Sequence, residues 1–395
     1  MFHVMTMARK TFGPVAVLAS ALWLAACDVG PIGGGGTGGG PTINTRNAVP
    51  VALLVPGGSA DAGDDLLARN FENAARLAIA DLGDVQIDLR VYNTASQAGQ
   101  AAAVAQQAVA DGAKIIIGPL RGEESNAVAV AVAAAGINVL SFSNNADIAG
   151  GNLFVLGNTF PNIADRLVSY AASQGKRRLA MVYETNQPGE VGKAAVEAAA
   201  ARHGASVVAS GTYDFSQESI ITSVPGIAAS IRGAGVDAVF FTADSAGALP
   251  LLSQLLSENQ VNPATTTFVG LTRWDIPAGT TALPGVQGGM FALPDPGLTQ
   301  QFSDRYAAAY GEPPHPLAGL AYDGIAAIGA LIKAGKPDAL AMSGLTQASG
   351  FAGVNGSFRL RTDGTIERSL AVAQIINRQV TVIDPAPRSF GGAGF

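Results

Sequence analysis

Val49-Pro50-Val51-Ala52-Leu53-Leu54-Val55 is an uninterrupted apolar run, stopped by Pro56-Gly57-Gly58-Ser59. A strand with one wet face alternates polar and apolar residues; a continuous run suits a strand covered on both faces. Pro50 falls near its start, where a missing ladder donor is tolerated. The next segment supplies one of the covers. From about Asp65 to Leu82, Leu67, Phe71, Ala74 and Ala78 share a helical face, while Arg69, Glu72, Asn73 and Arg76 lie elsewhere.

Outward from this unit the pattern repeats. Val85–Tyr92 reads as a strand, Ser96–Asp111 as a helix, and Lys114–Ile117 as a strand ending in Gly118-Pro119. Glu124–Ala135 is helical, and strand Ile137–Phe142 runs into polar Ser143-Asn144-Asn145. A second series begins after Asn158: strand Leu179–Tyr183, helix Glu190–His203 stopped by Gly204, and strand Ser206–Ser210. A helix around Ile221–Ala234, strand Ala238–Thr242, a helix around Leu249–Glu258 and strand Thr267–Gly270 follow. Asp304–Tyr310 and Leu317–Ala334 are further helices, and Gly356–Ile383 reads as antiparallel strands turning at Asp363-Gly364. Strand–helix alternation of this kind predicts an α/β fold of two doubly wound parallel-sheet lobes. In such sheets ligands sit beyond the carboxyl ends of the strands, so polar residues there are the candidates for function.

The amino terminus carries a different signal. Arg9 and Lys10 precede a short apolar stretch, Val15–Leu24, which ends in Leu24-Ala25-Ala26-Cys27. The stretch is too short to cross a bilayer, which takes about 20 residues. Its layout is that of an export signal cut before Cys27, with lipid attached to that cysteine as in bacterial lipoproteins. Gly30–Pro41 reads as a flexible tether. Within it, Gly33, Gly35 and Gly38 fit a dinucleotide fingerprint, but no strand precedes and no helix follows, so the motif fails its context.

Composition narrows the function classes. The chain has a single cysteine, so acylated Cys27 would leave no thiol for catalysis, metal binding or a disulfide. The net charge of −6 and the absence of basic runs argue against nucleic acid as a partner. Of three histidines, His3 leaves with the leader, His203 ends a helix where a cation meets the dipole favourably, and His315 sits in a proline-rich loop expected to be exposed. Adjacent Glu123 and Glu124 at a helix start point different ways, which disfavours a paired-carboxylate catalyst. The sequence therefore predicts a non-enzyme without cofactor or metal.

Several segments, in order, carry a resemblance: Val51–Pro56, Asn73–Ile79, Ile116–Leu120, Val139–Ser143, Val236–Phe241, Ala321–Ile325 and Gly353–Phe358 through Gly364. Together they resemble the type I periplasmic binding proteins of the leucine/isoleucine/valine-binding family. The resemblance implies two lobes joined by three crossovers, near Asn158–Pro161, Leu293–Pro296 and Asp363–Arg368, closing on a small ligand. The organisation it gives is a leader over 1–26, lipidated cysteine and tether over 27–48, a first lobe of 49–158 plus 296–363, a second of 159–295 plus 364–384, and a tail over 385–395.

By matching, the candidate cleft residues are Ser59, Gly122, Glu123, Ser143, Asn144, Asn145, Asp244, Ser245, Thr272 and Arg273. The match is uneven. Gly122 stands where the family places a serine, Asn145 where threonine is common, Asp244-Ser245 where an aromatic pair is usual, and Thr272-Arg273 where an acid holds the ligand's amine. A buried ammonium without a partner is costly. The chain is also similar to penicillin-binding-protein activator lipoproteins, which use this domain to stimulate peptidoglycan synthases by contact. That resemblance, which the uneven pocket favours over the receptor alternative, implies an activator that regulates peptidoglycan synthesis, with a peptidoglycan synthase as partner. The wider family implies an ABC permease and an amino acid or related small polar ligand. Asp28 after the cysteine resembles a signal for inner-membrane retention.

Overall fold

The computed structural model describes residues 40–390. The expected leader, Cys27, Asp28 and most of the tether lie outside the described residues, as does the end of the expected tail. β1 (Val49–Val55) leads into α1 (Ala62–Asp81), capped by Asp61, whose carboxylate accepts from the Gly63 N–H. β2 (Ile87–Asn93), α2 (Ala98–Ala110), β3 (Ile115–Ile117), α3 (Gly122–Val132), β4 (Val139–Ser141) and β5 (Leu153–Val155) follow. The five strands form a parallel sheet in the order β2-β1-β3-β4-β5.

The unbroken apolar run of β1 has its expected cause. Val51, Leu53 and Val55 pack with Phe71 of α1 on one face of the sheet. Ala52 and Leu54 pack with Ala101, Ala105 and Ala108 of α2 on the other.

α4 (Phe160–Ser173) opens the second lobe, with Thr159 as its N-cap and Pro161 in its first turn. Next come β6 (Arg178–Glu184), α5 (Gln187–His203), β7 (Ser206–Tyr213), α6 (Gln217–Gly233), β8 (Ala238–Phe241), α7 (Leu249–Glu258), β9 (Thr267–Gly270) and β10 (Met290–Leu293). Their order, β7-β6-β8-β9-β10, repeats that of the first sheet. β5, α4 and β10 are additions to the sequence reading. Two are short strands of three and four residues following glycine pairs, and α4 begins inside the expected first crossover.

The chain then returns. α8 (Pro296–Tyr310) and α9 (Gly319–Lys333) pack on α1, and a short α10 (Met342–Leu345) follows. β11 (Phe358–Leu360) and β12 (Ile366–Arg368) form a separate hairpin. β13 (Ala371–Ile376) and β14 (Gln379–Asp384) extend the second sheet antiparallel beside β10. The third passage between lobes therefore falls at Ser369-Leu370, just beyond the expected Asp363–Arg368. Phe358, Leu360 and Ile366 belong to the first lobe's core, so residues 364–368 lie with that lobe rather than with the second.

Two packing features fix the frame. Arg368 and Asp323 of α9 form an ion pair at 2.6 Å with both side chains fully buried. Asp323 also accepts from the Val354 N–H at 2.7 Å and from Asn355 at 3.2 Å. Burial pushes its carboxyl up, with the guanidinium pulling the other way. Arg368 donates onward to the Leu156 carbonyl, and its backbone exchanges two hydrogen bonds with Asn162 of α4. In the second lobe Trp274 is wholly buried beside Phe241, wedged between Gly270 and Gly289. A β-carbon on Gly270 would lie 2.2 Å from the indole nitrogen, and one on Gly289 2.4 Å from the ring.

Gly270→Ala is therefore expected to destabilise the protein by about 2 kcal/mol through overpacking, measured by urea unfolding. Asp323→Ala, which strands a buried guanidinium, should cost roughly 3–5 kcal/mol in the same assay. The double change Asp323→Leu/Arg368→Met should recover most of that loss.

Candidate functional site

Between the lobes lies a cavity of about 770 Å³. Its first-lobe wall comes from the loops that leave β3, β4 and β5: Leu120 to Glu123, Phe142 to Asn145, and Gly157-Asn158. α3 begins in this wall. Glu124 turns inward, accepting from Thr94 Oγ1 at 2.5 Å and from the Arg121 N–H at 3.3 Å, while Glu123 stays exposed in the cavity. The two neighbours thus face apart. Ser143 is nearly buried, and its hydroxyl accepts from the Asn145 N–H at 3.1 Å. Asn145 caps the next turn through Asp147. The floor depends on a glycine: a β-carbon on Gly157 would meet the Ser143 carbonyl at 2.5 Å. Only there can the loops after β4 and β5 lie backbone to backbone.

The second-lobe wall consists of Gln187 at the start of α5, Arg273 and Ile276 after β9, and Pro294 at the second crossover. Arg273 is half-buried and held side-on by Asp275, Nε to Oδ1 at 2.6 Å, which leaves Nη1 as its free donor edge. Ser245 shapes this loop, donating to the Ile276 carbonyl at 2.5 Å. Leu317, Leu320 and Asn355 close the cavity from the returning segment. One polar atom in the wall is unsatisfied: Asn158 Oδ1 is buried without a hydrogen-bond partner among the described residues.

The structure thus brings together Gly122, Glu123, Ser143, Asn144, Asn145 and Arg273. It does not bring in the other four candidates. Ser59 lies outside the cavity lining; its hydroxyl donates to Asp64 Oδ2 at 2.7 Å, in a network that Ser96 and Arg121 complete. That network lowers the Asp64 carboxyl despite the opposing effect of desolvation, mainly through the hydrogen bond from Arg121. Ser245 points into its own loop. Asp244 and Thr272 line a different cavity, of about 260 Å³, within the second lobe.

Trp274 belongs to the core and not to the ligand space. His315 corrects another expectation: it is half-buried, its backbone N–H donates to Asn70 Oδ1 at 2.7 Å, and burial lowers the imidazole pKa. His203 pairs with Asp165 at 3.0 Å. Sequence reading passed over Asn158, Gln187 and Asn355. Gln187 had a usable signal: Asn186 followed by Pro188 is an N-cap with proline in the first turn, which starts α5 before Glu190.

Among solved structures, several with low identity share this architecture. An ABC transporter substrate-binding protein from Desulfitobacterium hafniense in complex with Leu is 19% identical, with a TM-score of 0.64 over 85% of this chain and 100% of that one. A branched-chain amino acid ABC transporter periplasmic ligand-binding protein from Burkholderia xenovorans is 16% identical, at TM-score 0.68 over 87% and 95%. A solute binding protein of an ABC transporter from Rhodopseudomonas palustris, in complex with 3,4-dihydroxy benzoic acid, is 15% identical, at TM-score 0.59 over 87% and 97%. No curated protein matches significantly by sequence. The family model described as periplasmic binding protein matches residues 48–379. With every strand but β14 inside that match and the cavity formed where the strand ends of the two lobes meet, the chain belongs to the periplasmic binding proteins.

Proposed function

We propose that the protein is a lipid-anchored receptor that holds a small polar solute in the interlobe cavity and presents it to an ABC permease. The observation that carries this reading is the cavity itself, open between two sets of strand ends with an unsatisfied Asn158 acceptor in its wall. Buried polar groups without partners are rare, and this one belongs to a residue of the cavity lining. Apolar Leu120, Phe142, Ile148, Ile276, Leu317 and Leu320 alternate in the lining with an equal share of polar side chains, a make-up that suits a small polar solute. Leu and 3,4-dihydroxy benzoic acid, held by two of the structural neighbours, are both carboxylates. Here the free edge of Arg273 would meet such a group.

A second reading, activation of a peptidoglycan synthase by contact, is favoured by a specific departure. The interlobe cavity receives no unpaired acid from the second lobe, since Thr272 lines another cavity and Asp275 is committed to Arg273. An amino acid's ammonium would find only Glu123 there. The anchor at Cys27 serves either role and places the domain at the periplasmic face of a membrane.

A thermal-shift screen of the full chain in detergent, against amino acids, aromatic acids and peptidoglycan fragments, separates the two. A ligand at 100 times its Kd should add about 2.7 kcal/mol of stability. Asn158→Leu should weaken it about tenfold, the effect of losing one strong hydrogen bond. No shift with any compound, together with capture of a synthase by pull-down, would overturn the receptor reading. Cys27→Ala should remove the lipid, seen as loss of the acyl mass and transfer of the protein from the membrane to the soluble fraction.

A further inference from the structure

The second sheet ends on an unguarded strand. β14 has β13 on one side and, among the described residues, no strand on the other. Natural sheet edges are usually blunted by charge, by proline or by shortness. The other edges of the two large sheets follow that rule or hide their apolar residues. β2 carries the paired Asp88 and Arg90, β5 has only three residues, and β7 exposes no large apolar side chain. The β13–β14 hairpin does the opposite: Ile376 is 40% exposed, and Val380 and Val382 are 38% exposed. Past Pro385 the chain leaves the sheet for the first lobe, where Ser357 Oγ donates to the Arg388 carbonyl, so this segment does not shield the edge. The family match stops at Gln379, where β14 begins.

The backbone of this edge favours one pairing. The β13–β14 turn is Asn377-Arg378, with φ of 52° and 66°, the two-residue turn that closes on a hydrogen-bonded pair, here Ile376 with Gln379. Hydrogen-bonded and non-hydrogen-bonded pairs then alternate. Gln379 and Thr381 therefore turn their N–H and C=O groups toward β13, and Val380 and Val382 turn theirs outward. Both valines share a face with their cross-strand partners Ile375 and Ala373, which belong to the second lobe's core. A two-fold axis through Thr381 makes the strand its own complement. Val380 then falls opposite Val382 of the copy, and each of these residues gives and accepts a backbone bond. The same axis sets Arg378 opposite Asp384 of the copy. The Arg378 backbone N–H donates to Gln287, and its guanidinium meets no acid among the described residues. Asp384 gives one oxygen to Arg166 and keeps a side chain 40% exposed. Moving the axis to Val380 or Val382 would set Arg378 opposite Val382, or Asp384 opposite Val380, and lose the charge match.

We propose that a second copy of this chain occupies the β14 edge, joining the two second-lobe sheets antiparallel about Thr381. Val380 and Val382 of both copies cluster over the joint, and Arg378 and Asp384 pair at its two ends. A foreign strand could use the same backbone groups, but only this chain brings a cation and an acid evenly spaced about the centre. The register shift opposite Val372-Ala373 and Pro385 end the regular stretch, which keeps the joint short and the dimer weak. No residue of β14 lines the interlobe cavity, so this proposal and the receptor reading succeed or fail separately.

The test combines disulfide trapping with sedimentation of the full chain in detergent. Thr381→Cys places two thiols at a non-hydrogen-bonded pair on the axis, within disulfide reach, so mild oxidation should give a covalent dimer. Gln379→Cys sets its thiols four residues apart along the joint, about 14 Å, and should give none. The unsubstituted chain supplies the baseline for Cys27. In sedimentation the chain should pass from monomer to dimer as its concentration rises to about 100 µM, the behaviour of a small interface. Val380→Lys puts two lysines beside the axis and should weaken the dimer about tenfold or more, with the melting temperature unchanged. Arg378→Asp should weaken it about fivefold, and less so as salt is raised. A chain that stays monomeric and is not trapped at 381 would overturn the proposal, even if it bound a foreign extended peptide along β14. Equal trapping at 379 and 381 would also overturn it, as would a dimer indifferent to both Val380→Lys and Arg378→Asp.

Discussion

The buried Arg368–Asp323 pair ties the two lobes to one pivot. Asp323 sits on α9 in the first lobe, whereas the Arg368 backbone is gripped by Asn162 of α4 in the second. Its guanidinium reaches back to the Leu156 carbonyl, at the end of β5 where the chain first leaves the first lobe. One residue therefore gathers the first and third crossovers. Removing two charges from water is unfavourable, and the geometry offsets this only because the remaining acceptors of Asp323 are filled by Val354 and Asn355. Asn355 also lines the interlobe cavity, so the ligand space shares a wall with the pivot. A rotation of the lobes about Arg368 can leave its side-chain pair intact and take up the movement in the backbone around Ser369-Leu370.

This constraint explains which parts of the sequence were legible. β1 was readable because both its faces are dry, and α7 because its apolar period runs the length of the helix. β5 and β10 are too short to show a period, and each gains its identity from neighbours in the sheet. α4 carries Leu167, Val168 and Ala171 at helical spacing and a Thr159 cap, but its first turn coincides with the expected crossover, so the linker reading absorbed it. The hairpin boundary was misplaced for a related reason. Asp363-Gly364 is a turn within the first lobe, and the passage between lobes follows it only after β12 has packed Ile366 into the first core.

The candidate site divides along the same lines. Family matching together with strand-end position located Gly122, Ser143 to Asn145 and Arg273, because those loops follow strands that the periodicity had already fixed. Strand-end position does not say which cavity a loop faces. Asp244 and Thr272 do leave strand ends, yet the turn after β8 directs them into the second lobe's own crevice. Ser59 follows β1 but is drawn to Asp64, whose burial requires donors from Ser59, Ser96 and Arg121. For Ser59 a local carboxylate's need for partners overrides the general rule about strand ends.

Electrostatics then separate the two cavities by what they still lack. Both arginines of the interlobe cavity carry a paired acid, Arg121 with Asp64 and Arg273 with Asp275, so a ligand carboxylate would be held by the directed Nη1 edge of Arg273 rather than by surplus positive charge. The cavity's selectivity must come from shape and from a few directed groups such as the Asn158 oxygen and the Arg273 edge. The second-lobe crevice is the reverse: Glu184 and Asp244 are oriented but their charges are not met by any arginine or lysine in its lining. The interlobe cavity therefore selects by shape and directed hydrogen bonds more than by net charge, whereas the strand ends of the second lobe carry two solvated acids that leave their crevice negative.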